Sequence, residues 1–377
     1  MSHGGGKRIL PIDATRGLVM LFSCLAHYAW WIHARYGDLS ATLLGIGMVA
    51  TPTFLFVSGA MVGMLSATPG ERDLKSQLFN RGLFLLTVGH LLIALTEAHL
   101  NGGLGKTIWG VNVVDEIGLC TLVAAFLLPR LASFDFCVRL ARLAALVLLA
   151  AWLLNLWWLP SDQLTLKVDE LLVGGPVSGV HFAAHSPIVQ HIAIYVLGLP
   201  LGHVFAGFAR QQVPAAVVAS RLQRLGAWLL GSALLLRALR YLIDLAGSLP
   251  SPAVDLTLRV TEKIPPSPAY LLFYGGCGLL LVGTLFRLSA LPRARVQGML
   301  EWLAVIGRAS LFVFILQYFL YWTLPDLLNI HPNALSPVLF VGNVLLMRYV
   351  AGLWVALRGN RWLTFGIKLD GVPSHRG

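Results

Sequence analysis

The sequence predicts an all-α fold: a polytopic integral membrane helical bundle of about ten transmembrane helices, with both termini cytoplasmic. Hydrophobic residues make up 57% of the 377 residues and charged residues only 12%. The mean hydropathy of +0.75 lies well above that of soluble domains. Apolar segments long enough to cross a bilayer recur along the chain, and the basic residues gather at alternate ends of those segments.

A transmembrane helix requires about 20 mostly apolar residues, and ten segments meet this requirement. The chain 1–377 is predicted as a single domain, with an N-terminal tail at 1–8 and a C-terminal tail at 363–377. The polar stretch SDQLTLKVDELLVGGPVSGVHFAAHS separates the fifth and sixth spans and leaves room for a re-entrant or interfacial piece. The predicted spans are 14–35, 41–66, 79–98, 108–129, 138–159, 187–207, 223–245, 268–288, 301–323 and 336–357.

The placement of basic residues sets the orientation. With the N-terminus inside, 19 of the 28 lysines and arginines fall at predicted cytoplasmic ends, five fall at the opposite ends and four lie within spans. This asymmetry is the positive-inside signature and favours an even number of spans. The net charge of +11 then reflects orientation and lipid headgroups, not nucleic acid. We predict a multi-pass protein of the inner (plasma) membrane, with the lipid bilayer as its partner. The sequence does not decide between a monomer and a homo-oligomer.

The first predicted span carries polar residues that are costly in hydrocarbon. Asp13, Arg16 and His27 lie within RILPIDATRGLVMLFSCLAH. A charge at the centre of a span costs about 2.5 to 3.5 kcal/mol, so such residues usually face the bundle interior and mark function. Eleven residues separate Arg16 from His27 and advance a helix about 20° beyond three turns, so both share one face. The structural alternative is that Asp13 caps the helix and pairs with Arg16, while His27 bonds a neighbouring helix.

A second polar face lies in the seventh span, LLLRALRYLIDLAG. Arg237, Arg240 and Asp244 share it and predict either a site for an anionic substrate or polar acceptor, or a structural pair that neutralises itself. In the fourth span Asp115 and Glu116 are adjacent and point about 100° apart. One of these two carboxylates is the candidate counter-charge for Arg237 or Arg240.

Three histidines in HFAAHSPIVQH raise the question of a metal site. His181 and His185 have the i, i+4 spacing that can bind zinc, and His191 follows. Pro187 interrupts a continuous helix, and no acidic third ligand stands at a motif spacing. We therefore predict no metal site.

The first span also carries a family resemblance. IDATRGLVMLFSCLAH resembles the opening of the polytopic membrane acyltransferases of the acyltransferase type-three superfamily, with relatives among glucan-modifying membrane acyltransferases and the heparan-glucosaminide N-acetyltransferase group. Their acidic residue, Arg-Gly pair and histidine are matched by Asp13, Arg16, Gly17 and His27. Many relatives have a histidine where this chain has Gln317. Further similar segments are TPTFLFVSGAMVG, FNRGLFLLTVG, IAIYVLGLPLGH, EKIPPSPAYLLFYGG and IGRASLFVFILQYFLY.

The resemblance implies an enzyme that moves an acyl group, most often acetyl, from cytoplasmic acyl-CoA to a hydroxyl or amine of a glycan or similar polar acceptor, with no bound cofactor. His27 is the expected general base, and Asp13 is expected to orient Arg16. Direct transfer and an acyl-histidine relay both fit. The resemblance also implies substrate-binding residues. The donor phosphates are expected to contact Arg16, Arg81 and Arg308, with Lys263 contributing from the opposite side of the membrane. The acceptor is expected to contact Arg237, Arg240, Asp244 and either Asp115 or Glu116, and the remaining expected contacts are Ser58 and Gln317.

Two other classes of protein stay open. A secondary transporter or lipid-linked-sugar flippase also places charges around a central cavity, but it predicts inverted repeats and matched helix breaks. The sequence shows no internal repeat, and Pro52 and GLPLG are only partial breaks. A non-catalytic scaffold or sensor requires the stripe from Arg16 to His27 to be an accident of packing. The sequence therefore favours the enzyme.

Overall fold

The computed structural model describes residues 9–68, 74–98, 103–157, 162–174, 187–247 and 251–365. It is 83% helical and has no strands in these ranges, so the predicted all-α class is confirmed. The helices are α1 (Leu10–Ile32), α2 (Gly37–Gly47), α3 (Ala50–Ala67), α4 (Leu74–Phe84), α5 (His90–Glu97), α6 (Leu104–Thr107), α7 (Val113–Leu131), α8 (Phe134–Trp157), α9 (Gln163–Val173), α10 (Ile188–Ala209), α11 (Ala215–Leu245), α12 (Pro252–Thr257), α13 (Pro268–Ser289), α14 (Ala294–Arg308), α15 (Ser310–Tyr318), α16 (Leu324–Leu327) and α17 (Ser336–Ala356).

Eight helical segments within the described ranges are long and apolar enough to cross a membrane, which supports a multi-pass membrane protein. Helices α1 and α7, with 23 and 19 residues, are not among the eight. A total of ten spans and the side of the termini stay predictions. The eight segments are Gly37–Ala67, Leu74–Glu97, Phe134–Trp157, Ile188–Ala209, Ala215–Leu245, Pro268–Ser289, Ser310–Leu327 and Ser336–Ala356.

Two of the predicted spans are less regular than the sequence suggested. A π-helical turn, Leu85–Gly89, joins α4 to α5. The ninth predicted span, 301–323, is divided at Ala309 between α14 and α15, and the segment long and apolar enough to cross a membrane is Ser310–Leu327. A second π-helical turn, Phe319–Thr323, joins α15 to α16. The π-helical turns change which face of the helix the later residues occupy.

Successive long helices alternate in direction, so the bundle has two distinct ends. At one end α7, α10 and α13 finish, and Arg130, Arg210 and Arg287 lie in their last turns or caps. We call this the basic end, and α1 begins there. The opposite end, where α1 finishes, is called the outer end. The positive-inside rule predicts that the basic end faces the cytoplasm.

Helix α1 touches α14 through two glycines. A Cβ atom on Gly17 would lie 1.9 Å from the carbonyl oxygen of Leu303, and one on Gly307 would lie 1.9 Å from that of Asp13. Only glycine permits so close an approach of two backbones. The contact fixes the basic end of α1 against the helix that continues into α15.

Helices α3 and α10 meet through a GxxxG sequence on each helix. Added Cβ atoms on Gly59 and Gly63 of α3 would lie 1.8 Å and 2.1 Å from backbone oxygens of α10. Those on Gly198 and Gly202 of α10 would lie 2.0 Å and 2.2 Å from backbone oxygens of α3. Small residues at this spacing let membrane helices pack backbone to backbone. Pro200 lies inside α10 without ending it, so GLPLG is a packing surface and not a break.

Candidate functional site

A cavity of about 760 Å³ opens toward the outer end of the bundle. We call it the outer cavity. It lies between α1, the bend from α2 to α3, the starts of α7 and α10, the loop before α13, and the helix that ends at α16. Aromatic rings supply much of its wall, and several polar side chains converge on it. The aromatic residues of the wall include Trp30, Trp31, Phe314, Tyr318, Tyr321 and Trp322, and the polar residues include Ser23, His27, Glu97, Asn112, His191, Lys263, Asp326 and His331.

His27 borders this cavity, as the polar stripe of α1 predicted it would face the interior. Its ring lies 4.6 Å from the ring of Tyr318 and 5.1 Å from that of Trp322, measured between centroids. Its Nδ1 atom is buried and has no hydrogen-bond partner among the described residues. Buried polar atoms are nearly always paired, so such an atom in a cavity wall is a candidate for contact with a ligand or a reacting group.

Gln317 supports the stripe and does not border either of the two cavities described here. It is fully buried, and its Nε2 atom donates a hydrogen bond to Ser23 Oγ at 3.0 Å. Ser23 lies one turn before His27 on α1. Gln317 therefore holds the polar face of α1 against α15, a position different from the substrate contact that the family resemblance implied.

A second, smaller cavity of about 130 Å³ lies closer to the basic end, and we call it the inner cavity. Arg16 of α1, Ser58 of α3 and Arg81 of α4 border it, together with Ser310 and Tyr195. Arg16 Nη2 donates to Ser310 Oγ at 2.6 Å. Three predicted substrate-binding residues from three different helices thus meet in one place. The inner cavity is several-fold smaller than the outer cavity and admits only a small group.

The two cavities share a wall. Phe314 of α15 and Val113 of α7 border both of them. The ring of Phe314 also contacts His27, at 6.4 Å between centroids. One layer of side chains therefore separates His27 from the space that Arg16 and Arg81 face.

Asp13 and Arg308 form an ion pair at the basic end. Arg308 Nε lies 3.3 Å from Asp13 Oδ2, and Arg308 Nη2 lies 3.0 Å from Glu301 Oε2. Two carboxylates thus balance Arg308, which borders neither the outer nor the inner cavity. The pair ties α1 to α14, whereas the expectation from the family resemblance is that Asp13 orients Arg16 and that Arg308 binds the donor phosphates.

The charges of the seventh span form a peripheral ion-pair cluster. Arg240 lies 2.6 Å from Asp255 of α12 and 3.8 Å from Asp244, while Arg237 is exposed. None of these residues borders either cavity. The geometry therefore favours a structural ion pair over a substrate site at this face. The sequence pattern of the span did not reveal this pairing, because the carboxylate of Asp255 comes from α12.

The predicted pairing of Asp115 or Glu116 with these arginines is wrong, because each carboxylate binds a histidine. His90 Nδ1 lies 3.0 Å from Asp115 Oδ1, and its Nε2 lies 2.9 Å from the carbonyl oxygen of Ile108. His191 Nδ1 lies 2.6 Å from Glu116 Oε2, and both residues are buried. Adjacent residues of α7 thereby anchor α5 on one side and α10 on the other.

No metal-binding group of three or more His, Cys, Asp or Glu side chains occurs within the described ranges. His191 belongs to α10 and is held by Glu116. His181 and His185 lie outside the described residues.

Sequence reasoning missed several polar residues of the outer cavity. Glu97, Asn112, Asp326 and His331 all border it. Asn112 had a readable signal, because an asparagine followed three residues later by an acidic residue is a capping pattern. Asn112 and Asp115 do form a capping box at the start of α7. The other three lie at helix ends or in a loop, where helical periodicity gives no direction.

No protein-family model matches this chain, and no curated protein matches it at a significant level. The functional argument therefore depends on the geometry of the two cavities.

Proposed function

We propose that this protein is a membrane-embedded acyltransferase of the plasma membrane. It moves an acyl group, such as acetyl, from cytoplasmic acyl-CoA to a hydroxyl or amine of a glycan or similar polar acceptor, with His27 as the general base. The observation that carries the proposal is the shared wall at Phe314. This wall places His27, in the large cavity at the outer end, next to Arg16 and Arg81, which border the small cavity nearer the basic end.

The donor side of the proposal uses Arg16, Arg81 and Ser58. Arginine binds phosphate by charge-assisted and often bidentate hydrogen bonds, and acyl-CoA is a phosphate-rich thioester. The inner cavity is too small for the whole of CoA, so the adenosine stays at the basic end and the diphosphate reaches Arg16 and Arg81. The narrow thioester arm then continues past the arginines toward His27. Phe314 must turn aside before the thioester reaches His27.

The acceptor side uses the outer cavity. Its volume of about 760 Å³ falls in the range of small-molecule sites, which combine apolar walls with a few placed polar groups. Trp30, Trp31 and Trp322 offer flat faces to a sugar ring, and Glu97 and Asn112 offer hydrogen bonds to its hydroxyls. An acceptor hydroxyl or amine directed at His27 then lies on the opposite side of the thioester from the arginines.

The reaction follows from this arrangement. His27 takes the proton of the acceptor as its oxygen or nitrogen attacks the thioester carbon. The tetrahedral intermediate collapses, the carbon–sulfur bond breaks, and the CoA thiolate recovers the proton from His27. Since no external oxidant or cofactor enters the balance, acyl-CoA and the acceptor are the only reactants required.

A secondary transporter or lipid-linked-sugar flippase is the second candidate. Cavities toward opposite ends, closed by one aromatic layer, are also what alternating access requires. The two functions differ in the fate of the thioester, because a transferase cleaves it and releases a free CoA thiol, whereas a transporter or flippase leaves it intact.

Purified protein in liposomes distinguishes these functions. The probes are acetyl-CoA labelled in the acetyl group and glucosamine, which offers both hydroxyls and an amine. The proposal predicts binding of acetyl-CoA, release of free thiol and transfer of label. Protein that neither binds nor consumes the thioester would contradict it. Label crossing the bilayer with the thioester intact would favour the transporter.

Arg16→Gln and Arg81→Gln are expected to weaken the binding of acetyl-CoA by about 10- to 100-fold each, since a hydrogen bond to a charged group contributes about 1.5 to 3 kcal/mol. Equilibrium binding of labelled acetyl-CoA measures this loss. Arg237→Gln is the matched control, because Arg237 is exposed and borders neither cavity. Equal affinity in all four proteins would remove the arginines from the donor site.

A further inference from the structure

Lys263 occupies a position that does not suit the role expected from the family resemblance. It lies in the loop between α12 and α13, where Pro265 and Pro266 are buried and fold the loop inward. Lys263 borders the outer cavity, and among the described residues of that wall it is the only lysine or arginine. Phe314 and its neighbours separate it from the inner cavity. Because Lys263 lies on the other side of this wall from Arg16 and Arg81, it is not placed to bind the same donor phosphates.

The charges around Lys263 connect it with His27. Lys263 and His27 border the same cavity and lie close enough for their charges to interact. His191, which contacts Glu116, borders the same cavity as Lys263, and the charge of Glu116 acts on Lys263. Burial lowers the pKa of Lys263, and the negative charge of Glu116 opposes that shift. A carboxylate beside a buried ammonium group favours the charged form.

Glu116 is itself fixed in place. Its Oε2 atom lies 2.6 Å from His191 Nδ1, while its Oε1 atom is buried and has no hydrogen-bond partner among the described residues. His191 orients the carboxylate, and the unpartnered oxygen leaves charge available to Lys263. These buried groups have no part in the reaction as proposed so far.

We propose that Lys263 is a catalytic cation that stabilises the oxyanion of the tetrahedral intermediate, and that Glu116 and His191 are positioning residues that hold it. This inference rests on the proposed function. As the acceptor attacks, the electron pair of the carbonyl bond moves onto oxygen, and the Lys263 ammonium donates a hydrogen bond to it. When the carbon–sulfur bond breaks, the carbonyl re-forms and Lys263 keeps its proton throughout. His27 alone carries the proton that passes from acceptor to thiolate.

Lys263→Met tests this role, with acetyl-CoA and glucosamine as probes. Loss of one oxyanion donor commonly lowers kcat by 10²- to 10³-fold, and we expect a decrease of about this size. The KM for acetyl-CoA should change by no more than about threefold, because the interaction forms only in the transition state. Lys263→Arg keeps the charge and should recover part of the rate. Equal binding of acetyl-CoA by both variants establishes that they are folded.

Glu116→Gln tests the positioning role through the pH profile of kcat. Removing the carboxylate lowers the pKa of Lys263 further, so its ammonium is lost at lower pH and the alkaline limb of the profile moves toward acid. In Lys263→Arg/Glu116→Gln this shift should disappear, since arginine stays charged. The other titratable groups that border the cavity are the same in the single and the double variant: His27, Glu97, His191, Tyr318, Tyr321, Asp326 and His331.

The outcomes separate the two proposals. Wild-type protein that consumes no thioester contradicts the proposed function and this inference together. Active wild type with an unchanged kcat in Lys263→Met overturns the inference alone. So does a variant with unchanged kcat and a raised KM for acetyl-CoA, which would make Lys263 a donor-binding residue. An alkaline limb that does not move in Glu116→Gln removes Glu116 from its positioning role.

Discussion

Gly59→Ala is expected to be strongly destabilising, although it adds a single methyl group. That group would lie 1.8 Å from the carbonyl oxygen of Tyr195 in α10, and neither backbone can yield without separating α3 from α10. Overpacking in a well-packed core costs about 1 to 3 kcal/mol, and occasionally more. Since the obstacle here is backbone, we expect a cost at or above the upper end of that range. The measurement is the thermal unfolding midpoint in detergent.

Gly231→Ala is the matched control. Gly231 lies within the long helix α11, and a Cβ atom there would have no neighbour within 4 Å. Alanine in a helix interior is more favourable than glycine by about 1 kcal/mol, so this variant should unfold at the same or a higher temperature. Equal midpoints for the two variants would show that the α3–α10 contact is looser than the structure has it.

His27→Gln is expected to lower kcat by about 10²- to 10⁴-fold, the usual contribution of a general base. Glutamine keeps a polar side chain of similar length but cannot take up the acceptor proton. Binding of acetyl-CoA should be nearly unchanged, because Arg16 and Arg81 border a separate cavity. The measurement is thiol release at saturating acetyl-CoA with glucosamine as acceptor.

The same substitution at His33 provides its control. His33 follows the last residue of α1, lies close to Ser40 and borders neither cavity. His33→Gln should therefore retain the wild-type rate. Equal activity of His27→Gln and wild type would show that His27 is not the general base. It would not contradict the acyltransferase proposal itself, which thiol release and transfer of label test.

Positions within one continuous helix were predictable from the sequence. The spacing of Arg16 and His27 placed them on one face of α1, and both do face cavities in the bundle interior. Counting 3.6 residues per turn fails across the π-helical turns Leu85–Gly89 and Phe319–Thr323, because each changes the phase of the residues after it. Sequence gives no signal for such a turn, since it arises from the packing around it.

The partners of charged residues were harder to predict. Periodicity shows which face a side chain occupies but not which helix lies opposite. Arg240 finds Asp255 in the short helix α12, and Glu116 finds His191 in α10. These pairs depend on tertiary packing, which a single sequence does not display.

One packing signal was readable and was misinterpreted. GAMVG in α3 and GLPLG in α10 are both GxxxG sequences, a pattern typical of helices in close contact within membranes. Pro200 suggests a partial break in GLPLG, whereas the two glycines predict a close contact between helices. The structure shows α10 continuing through Pro200, with the glycines facing α3.

The most direct test of the central claim asks whether position 27 opens to the outer end of the bundle. His27→Cys is made in a Cys277→Ser background, because Cys24, Cys120 and Cys137 are buried. Sealed vesicles of known orientation are treated on one face at a time with a membrane-impermeant methanethiosulfonate reagent. The account predicts rapid modification from the outer face and little from the face with the arginine-rich helix ends. Protection from both faces, or modification from the basic end alone, would contradict it.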